Sequence, residues 1–186
     1  MEFNADVLNL VLGTGFVTTF INQAAEWFFR SRREEKNKKQ EATYLALKVA
    51  VILEAFVIDC ANKAATAENQ GMPGSRAELL PLPDLQPYPE TESWRLIPSD
   101  LSTRILSFPN IKELKQQEMD AHWFEGDPED RRRIMVSFLA ETGMHAWNIA
   151  VDTRKEYELP EFIPENSSWD PIGHLRSKTG KPVKKS

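Results

Sequence analysis

Two pairs of residues in this chain have the type and spacing to do chemistry. Glu118 and His122 stand four positions apart, and so do Glu141 and His145. On a helix this spacing puts both members of a pair on one face. Carboxylate and imidazole groups are metal ligands, and helical bundles hold metal ions between facing helices. Ile111, Leu114, Glu118 and His122 share one helical face, which aims that pair inward. Glu141, His145, Asn148 and Asp152 form a polar ridge on the last long helical segment. If the ridge faced Glu118 and His122, two histidines and several carboxylates would converge.

The spacing departs from familiar metal-binding helices. Ferritin-like bundles use Glu-x-x-His steps, and zincins place two histidines on one helix. A polar ridge is ordinarily the solvated side of an amphipathic helix, and that reading outweighs the metal one. No resident cofactor is therefore expected. A metal ion held by Glu118, His122, Glu141 and His145 is the cofactor chemistry left to test.

Other chemical motifs fall short. Gly13-Thr14-Gly15 lacks the third glycine of a dinucleotide loop, since Thr18 stands in its place. Cys60, the only cysteine, lies on an apolar stripe, where a thiol is usually inert packing. A single cysteine also rules out an internal disulfide framework and suits a reducing compartment.

The elements that would position these residues begin with an uncharged run, VLNLVLGTGFVTTFINQAA, from Val7 to Ala25. As a helix it would span about 28 Å, close to the hydrocarbon thickness of a bilayer. Trp27, Phe28 and Phe29 follow, and then RSRREEKNKK. An apolar span, an aromatic belt and a basic flank, in that order, predict a membrane anchor with its C-terminal side in the cytoplasm. The alternative is a core-facing helix, because Leu8, Leu12, Phe16, Phe20, Ala24 and Phe28 recur at every fourth position. A cleaved signal peptide does not fit the acidic start, MEFNAD, and the stretch is expected to remain in the mature protein.

Charge is unevenly placed. The net charge is −5, yet residues 30 to 40 hold six basic and two acidic side chains, and residues 176 to 186 hold five basic and no acidic ones. The body between them is acidic, which argues against nucleic acid as a partner. The basic segment beside the apolar run would suit an anionic leaflet.

From Phe16 to Gln70 there is neither proline nor glycine. A second helical segment is expected over Glu41 to Asn69, with Leu45, Val49, Ile52, Phe56 and Cys60 as its core stripe and Leu47, Val51 and Ile58 on the flanks. Pro81, Pro83, Pro87, Pro89 and Pro98 make residues 70 to 99 an extended crossover packed on the body by its leucines, Tyr88 and Trp94. A short helix is expected from Asp100 to Leu106, a break at Pro109, and a further segment from Asn110. Asp127, Pro128, Glu129 and Asp130 form a strong helix start, with the end near Tyr157. Beyond it, Phe162, Ile163 and Trp169 could pin the chain to the body, and from about Lys178 disorder is expected.

The fold class expected is all-α: an N-terminal membrane-spanning helix leading into a small helical bundle with a proline-rich crossover. The divisions are an anchor at 1–29, a basic segment at 30–40, a bundle at 41–158 and a tail at 159–186. The function expected is a non-enzymatic interaction module at the inner membrane, tethered through residues 7–29, with the bundle in the cytoplasm. It would hold an unknown protein partner or further copies of itself. Two alternatives stand beside it. One is a soluble cytoplasmic bundle whose first helix is buried in the fold or in an oligomer. The other is a metal-dependent enzyme built on the two Glu-x-x-x-His steps.

Overall fold

The computed structural model describes residues 5–69, 79–123, 127–163 and 169–179, and the side chains of these except for 5–34 and 123. The described residues are all helical or irregular, without a strand: α1 (Ala5–Asn69), a 3-10 turn (Glu92–Leu96), α2 (Ser99–Trp123), α3 (Pro128–Glu156) and α4 (Pro171–Lys178). This is an all-α bundle. The chain divides into two compact units, residues 1–41 and residues 42–186. The described part of the first is the N-terminal part of α1. Its candidate anchor, residues 7–29, falls where side chains lie outside the described residues. Among the described residues, no helix is long and apolar enough to cross a membrane.

In the second unit the C-terminal part of α1 is central. Leu45, Val49, Leu53, Phe56, Val57, Cys60 and Ala64 are buried on it. Ile52, expected in that stripe, is only half-buried. Leu53 and Val57 take its place, because the face is wide enough to take three neighbours rather than one. Phe56 meets Phe108 of α2 edge to face, with ring centroids 5.4 Å apart. Gly143 of α3 lies against Cys60: a Cβ placed there would come within 3.0 Å of the Cys60 Cβ and 2.8 Å of Leu175 Cδ1 of α4. Gly143 thus lets three helices approach closely.

Residues 110 to 123 do not form a separate segment. Pro109 sits inside the continuous helix α2. Its ring removes one backbone donor, but Ile105 and Phe108 on the turn before it are fully buried. That burial holds both halves to the body. The face chosen is also different. Leu101, Ile105, Phe108 and Met119 are buried, whereas Leu114, Glu118 and His122 are exposed. The larger apolar set won the core, and it turned Glu118 and His122 outward.

The crossover packs as its leucines demand. Leu82 is buried, and its N–H donates to Gln116 Oε1 at 2.7 Å. Lys63 Nζ donates to the Pro81 carbonyl at 2.7 Å. Trp94 Nε1 donates to the Pro89 carbonyl at 3.0 Å, and Trp94 meets Tyr88 edge to face. The first helical turn of α3 is capped by Asp127, whose Oδ1 accepts from the N–H groups of Glu129 and Asp130. These two hydrogen bonds hold the Asp127 carboxyl below its ordinary range, the bond from Asp130 foremost.

After Tyr157 the described residues include one further short helix. Pro171 and Asp170 start α4 as a helix, with the Asp170 carboxylate accepting from Gly173 N–H at 2.8 Å. Leu175 is fully buried against α3. Phe162 does pack on Trp147, at 6.3 Å between centroids, but Ile163 is 70% exposed and pins nothing. The expected disorder from Lys178 onward falls largely on residues 180–186, which lie outside the described residues.

Candidate functional site

The four candidate ligands lie along the seam between α2 and α3, yet they do not meet at one point. Lys115 stands between the two carboxylates. Its Nζ is 2.8 Å from Glu118 Oε2 and 4.0 Å from Glu141 Oε2. The same ammonium lies 5.4 Å from the centroid of the Phe138 ring. The carboxylates therefore converge, as the polar ridge suggests, but on a cation of the protein itself. Ser137 Oγ donates to Glu141 Oε1 at 3.3 Å.

The histidines are drawn to aromatic rings. His122 lies 6.2 Å from Phe138 between ring centroids, and His145 meets Phe108 edge to face at 5.6 Å. His145 is half-buried. Burial foremost, and then the nearby Arg104 guanidinium, push its pKa below the ordinary value of 6.5, so the ring is neutral near pH 7. Further along the ridge Asp152 is matched by Arg104 at 2.6 Å. Among the described residues, no group of three or more His, Cys, Asp or Glu is placed to hold a metal ion.

Cys60 is fully buried, and that burial, with Asp59 adding to it, raises its pKa far above the ordinary thiol value. A thiol so placed carries almost no thiolate and is a poor nucleophile. Its role is packing, as its place on the stripe implies.

Two polar arrangements carry no sequence signal of their own. In the first, Arg154 Nε and Nη2 donate to Glu54 at 2.5 and 2.8 Å, and Nη1 donates to the Pro160 carbonyl at 2.6 Å. The partners are a hundred residues apart in the chain, so no spacing rule could have paired them. In the second, Glu68 at the end of α1 is paired with Lys178 of α4 at 2.5 Å. His174 Nε2 approaches the other Glu68 oxygen only to 3.5 Å, too far for a well-formed hydrogen bond, and is left without a hydrogen-bond partner.

Among the described residues of the second unit, two open clefts stand out. One, of about 450 Å³, is bordered by Glu68, Asp130, Arg132, Arg133 and Lys178. Within it Arg133 pairs with Asp130 and Lys178 with Glu68. The other, of about 380 Å³, lies beside Trp147, Val151, Leu159 and Phe162. Ser137, whose Oγ donates to Glu141, also borders the first cleft. Comparison with protein-family models, curated proteins and solved structures finds no match.

Proposed function

We infer that this chain is a non-enzymatic helical interaction module, tethered to the cytoplasmic face of an inner membrane through residues 7–29. The observation that carries the tether is the order of residue types. An uncharged run from Val7 to Ala25 is followed by Trp27, Phe28 and Phe29 and then by six basic residues, with no lysine or arginine before it. Lysine and arginine near a span stay on the cytoplasmic side. The same helix, α1, carries this run and the residues that form the centre of the bundle.

The interaction reading is supported by the ionic groups of the α2–α3 seam. Lys115 and Arg104 of α2 lie against Glu141 and Asp152 of α3, at 4.0 and 2.6 Å, so two cations of the protein bridge these helices, while Glu118 is paired within α2. The partner would be another protein or further copies of this chain.

The test of the tether is fractionation of cells expressing the full chain, with carbonate washing of the membranes. Retention in the membrane pellet is expected, and recovery in the soluble fraction would overturn the tether. A reporter fused after Ser186 is expected to behave as cytoplasmic. Activity of an export-dependent phosphatase at that position would overturn the orientation.

A further inference from the structure

The face of α1 opposite the core is apolar where solvent-facing residues are expected to be polar. Tyr44 is 60% exposed and Val51 50% exposed. Leu47, Ala55 and Ile58 continue the row, each half-buried. Their spacing of three and four residues makes a stripe about four turns long. The opposite side of this helix already fills the core through Leu45, Val49, Leu53 and Phe56. This stripe is therefore a second apolar face on the same helix, partly exposed and outside the buried core cluster.

We propose that this stripe docks against the same stripe of a second copy of the chain, with the two helices antiparallel. The charges beside the stripe decide the partner and the direction. Lys48 and Asp59 are both exposed and lie along one edge of it, about three turns apart. Lys48 folds back over the Tyr44 ring, 4.5 Å from its centroid. In an antiparallel pair, matching edges of the two helices face each other. A two-fold axis near the level of Leu53 sets Lys48 of each copy beside Asp59 of the other. It also lays Val51 over the partner's Ala55, and Leu47 over the partner's Ile58. The small Ala55 side chain permits close approach at the centre. In a parallel pair the edge bearing Lys48 and Asp59 would face the opposite edge of the partner. Leu47 and Glu54 stand there, and Glu54 is already bound to Arg154, so no charge would be matched. A two-fold contact must be self-complementary, and the antiparallel arrangement is.

A four-turn stripe is a small interface, at the low end of areas that hold proteins together. The association is accordingly of micromolar strength and sensitive to its edge charges. It rests on residues 44 to 59 alone, so it stands or falls separately from the membrane tether, which fractionation reads.

The experiment is sedimentation equilibrium of the full chain in mild detergent from about 1 to 200 μM, a range that brackets micromolar binding. A monomer–dimer equilibrium is expected. Lys48→Glu is expected to weaken it about tenfold by setting like charges together, and Lys48→Glu with Asp59→Lys to restore it. Both positions are exposed, so the fold should survive, and circular dichroism checks that it does. Mixing the Lys48→Cys and Asp59→Cys variants under oxidising conditions should give the mixed disulfide dimer, while Lys48→Cys alone should not cross-link. A chain that stays monomeric throughout would overturn the proposal. So would a dimer indifferent to Lys48→Glu, a charge-swapped variant as weak as the single one, or efficient cross-linking of Lys48→Cys by itself.

Discussion

Arg154 closes on Glu54 through two parallel N–H···O bonds, with only 13% of the arginine side chain and 4% of the glutamate side chain exposed. Glu54 lies on α1 and Arg154 in the last turn of α3. The third arm of the guanidinium holds the Pro160 carbonyl, so one side chain joins two helices and the segment leaving α3. The hydrogen bonds to Glu54 raise the Arg154 pKa beyond its already high value. The guanidinium is therefore charged at neutral pH.

Breaking this pair from one side should be costly. Arg154→Ala leaves a buried carboxylate without its cation and is expected to lower the unfolding free energy by about 3 kcal/mol. Replacing both partners, as Glu54→Leu with Arg154→Met, should cost less than Arg154→Ala alone, since neither variant side chain strands a charge. Urea unfolding of the three chains, followed by circular dichroism, gives the comparison. A double variant less stable than either single one would show that the pair does more than neutralise itself.

Gly143 should not tolerate even one added carbon. Alanine ordinarily favours a helix over glycine by about 1 kcal/mol. Here the new Cβ would lie 3.0 Å from the Cys60 Cβ and 2.8 Å from Leu175 Cδ1. Leu175 can turn its methyl aside, but the Cys60 Cβ is fixed to the α1 backbone. Gly143→Ala is therefore expected to destabilise by about 1–3 kcal/mol, as overpacking does. Amide hydrogen exchange should quicken first at α4, whose Leu175 is displaced.

His145 should titrate below the ordinary histidine value of 6.5, because burial and Arg104 both disfavour its charged form. A base whose pKa is lower folded than unfolded binds its proton more readily in the unfolded chain. Its contribution is fully favourable above the unfolded value. It declines as pH falls from there toward the folded value, and below that it changes no further. Stability should thus fall between neutral pH and the folded pKa, and His145→Gln should remove that part of the slope. Proton chemical shifts of the ring against pH, with unfolding measured across the same range, check both statements.

Glu158 has a backbone φ of 51°, the one described non-glycine residue on the positive side. The chain needs that conformation to end α3. The Glu158 N–H donates to the Lys155 carbonyl and the Leu159 N–H to the Arg154 carbonyl at 2.9 Å, closing the helix with a left-handed residue. A side chain there costs about 1 kcal/mol that glycine does not incur. Glu158→Gly is expected to raise stability by up to about that amount, and thermal unfolding would register it. An unchanged or lower midpoint would mean that the Glu158 side chain contributes as much as its backbone strain costs.

The sequence alone determined the elements that local chemistry dictates. Asp127-Pro128-Glu129-Asp130 marks the start of α3 through a cap whose donors and acceptor lie within three residues, and the structure starts α3 at Pro128. The prolines between 81 and 98 disfavour an α-helix there, and residues 79–91 hold no regular element before a short 3-10 turn at Glu92–Leu96. Apolar periodicity put Leu45, Val49, Phe56 and Cys60 in the core, where they are. Tertiary packing decided the rest. Pro109 stayed within a helix because Ile105 and Phe108 bury themselves beside it. Glu118 and His122 turned outward because Met119 and Phe108 outweighed Ile111 and Leu114 for the core. Glu141 met Glu118 only through Lys115, and Glu54 met Arg154 from a hundred residues away. Helical spacing states which residues share a face. Which face is buried, and what lies opposite it, follows from the apolar area that all the packed helices can remove from water together, a sum that no single helix carries.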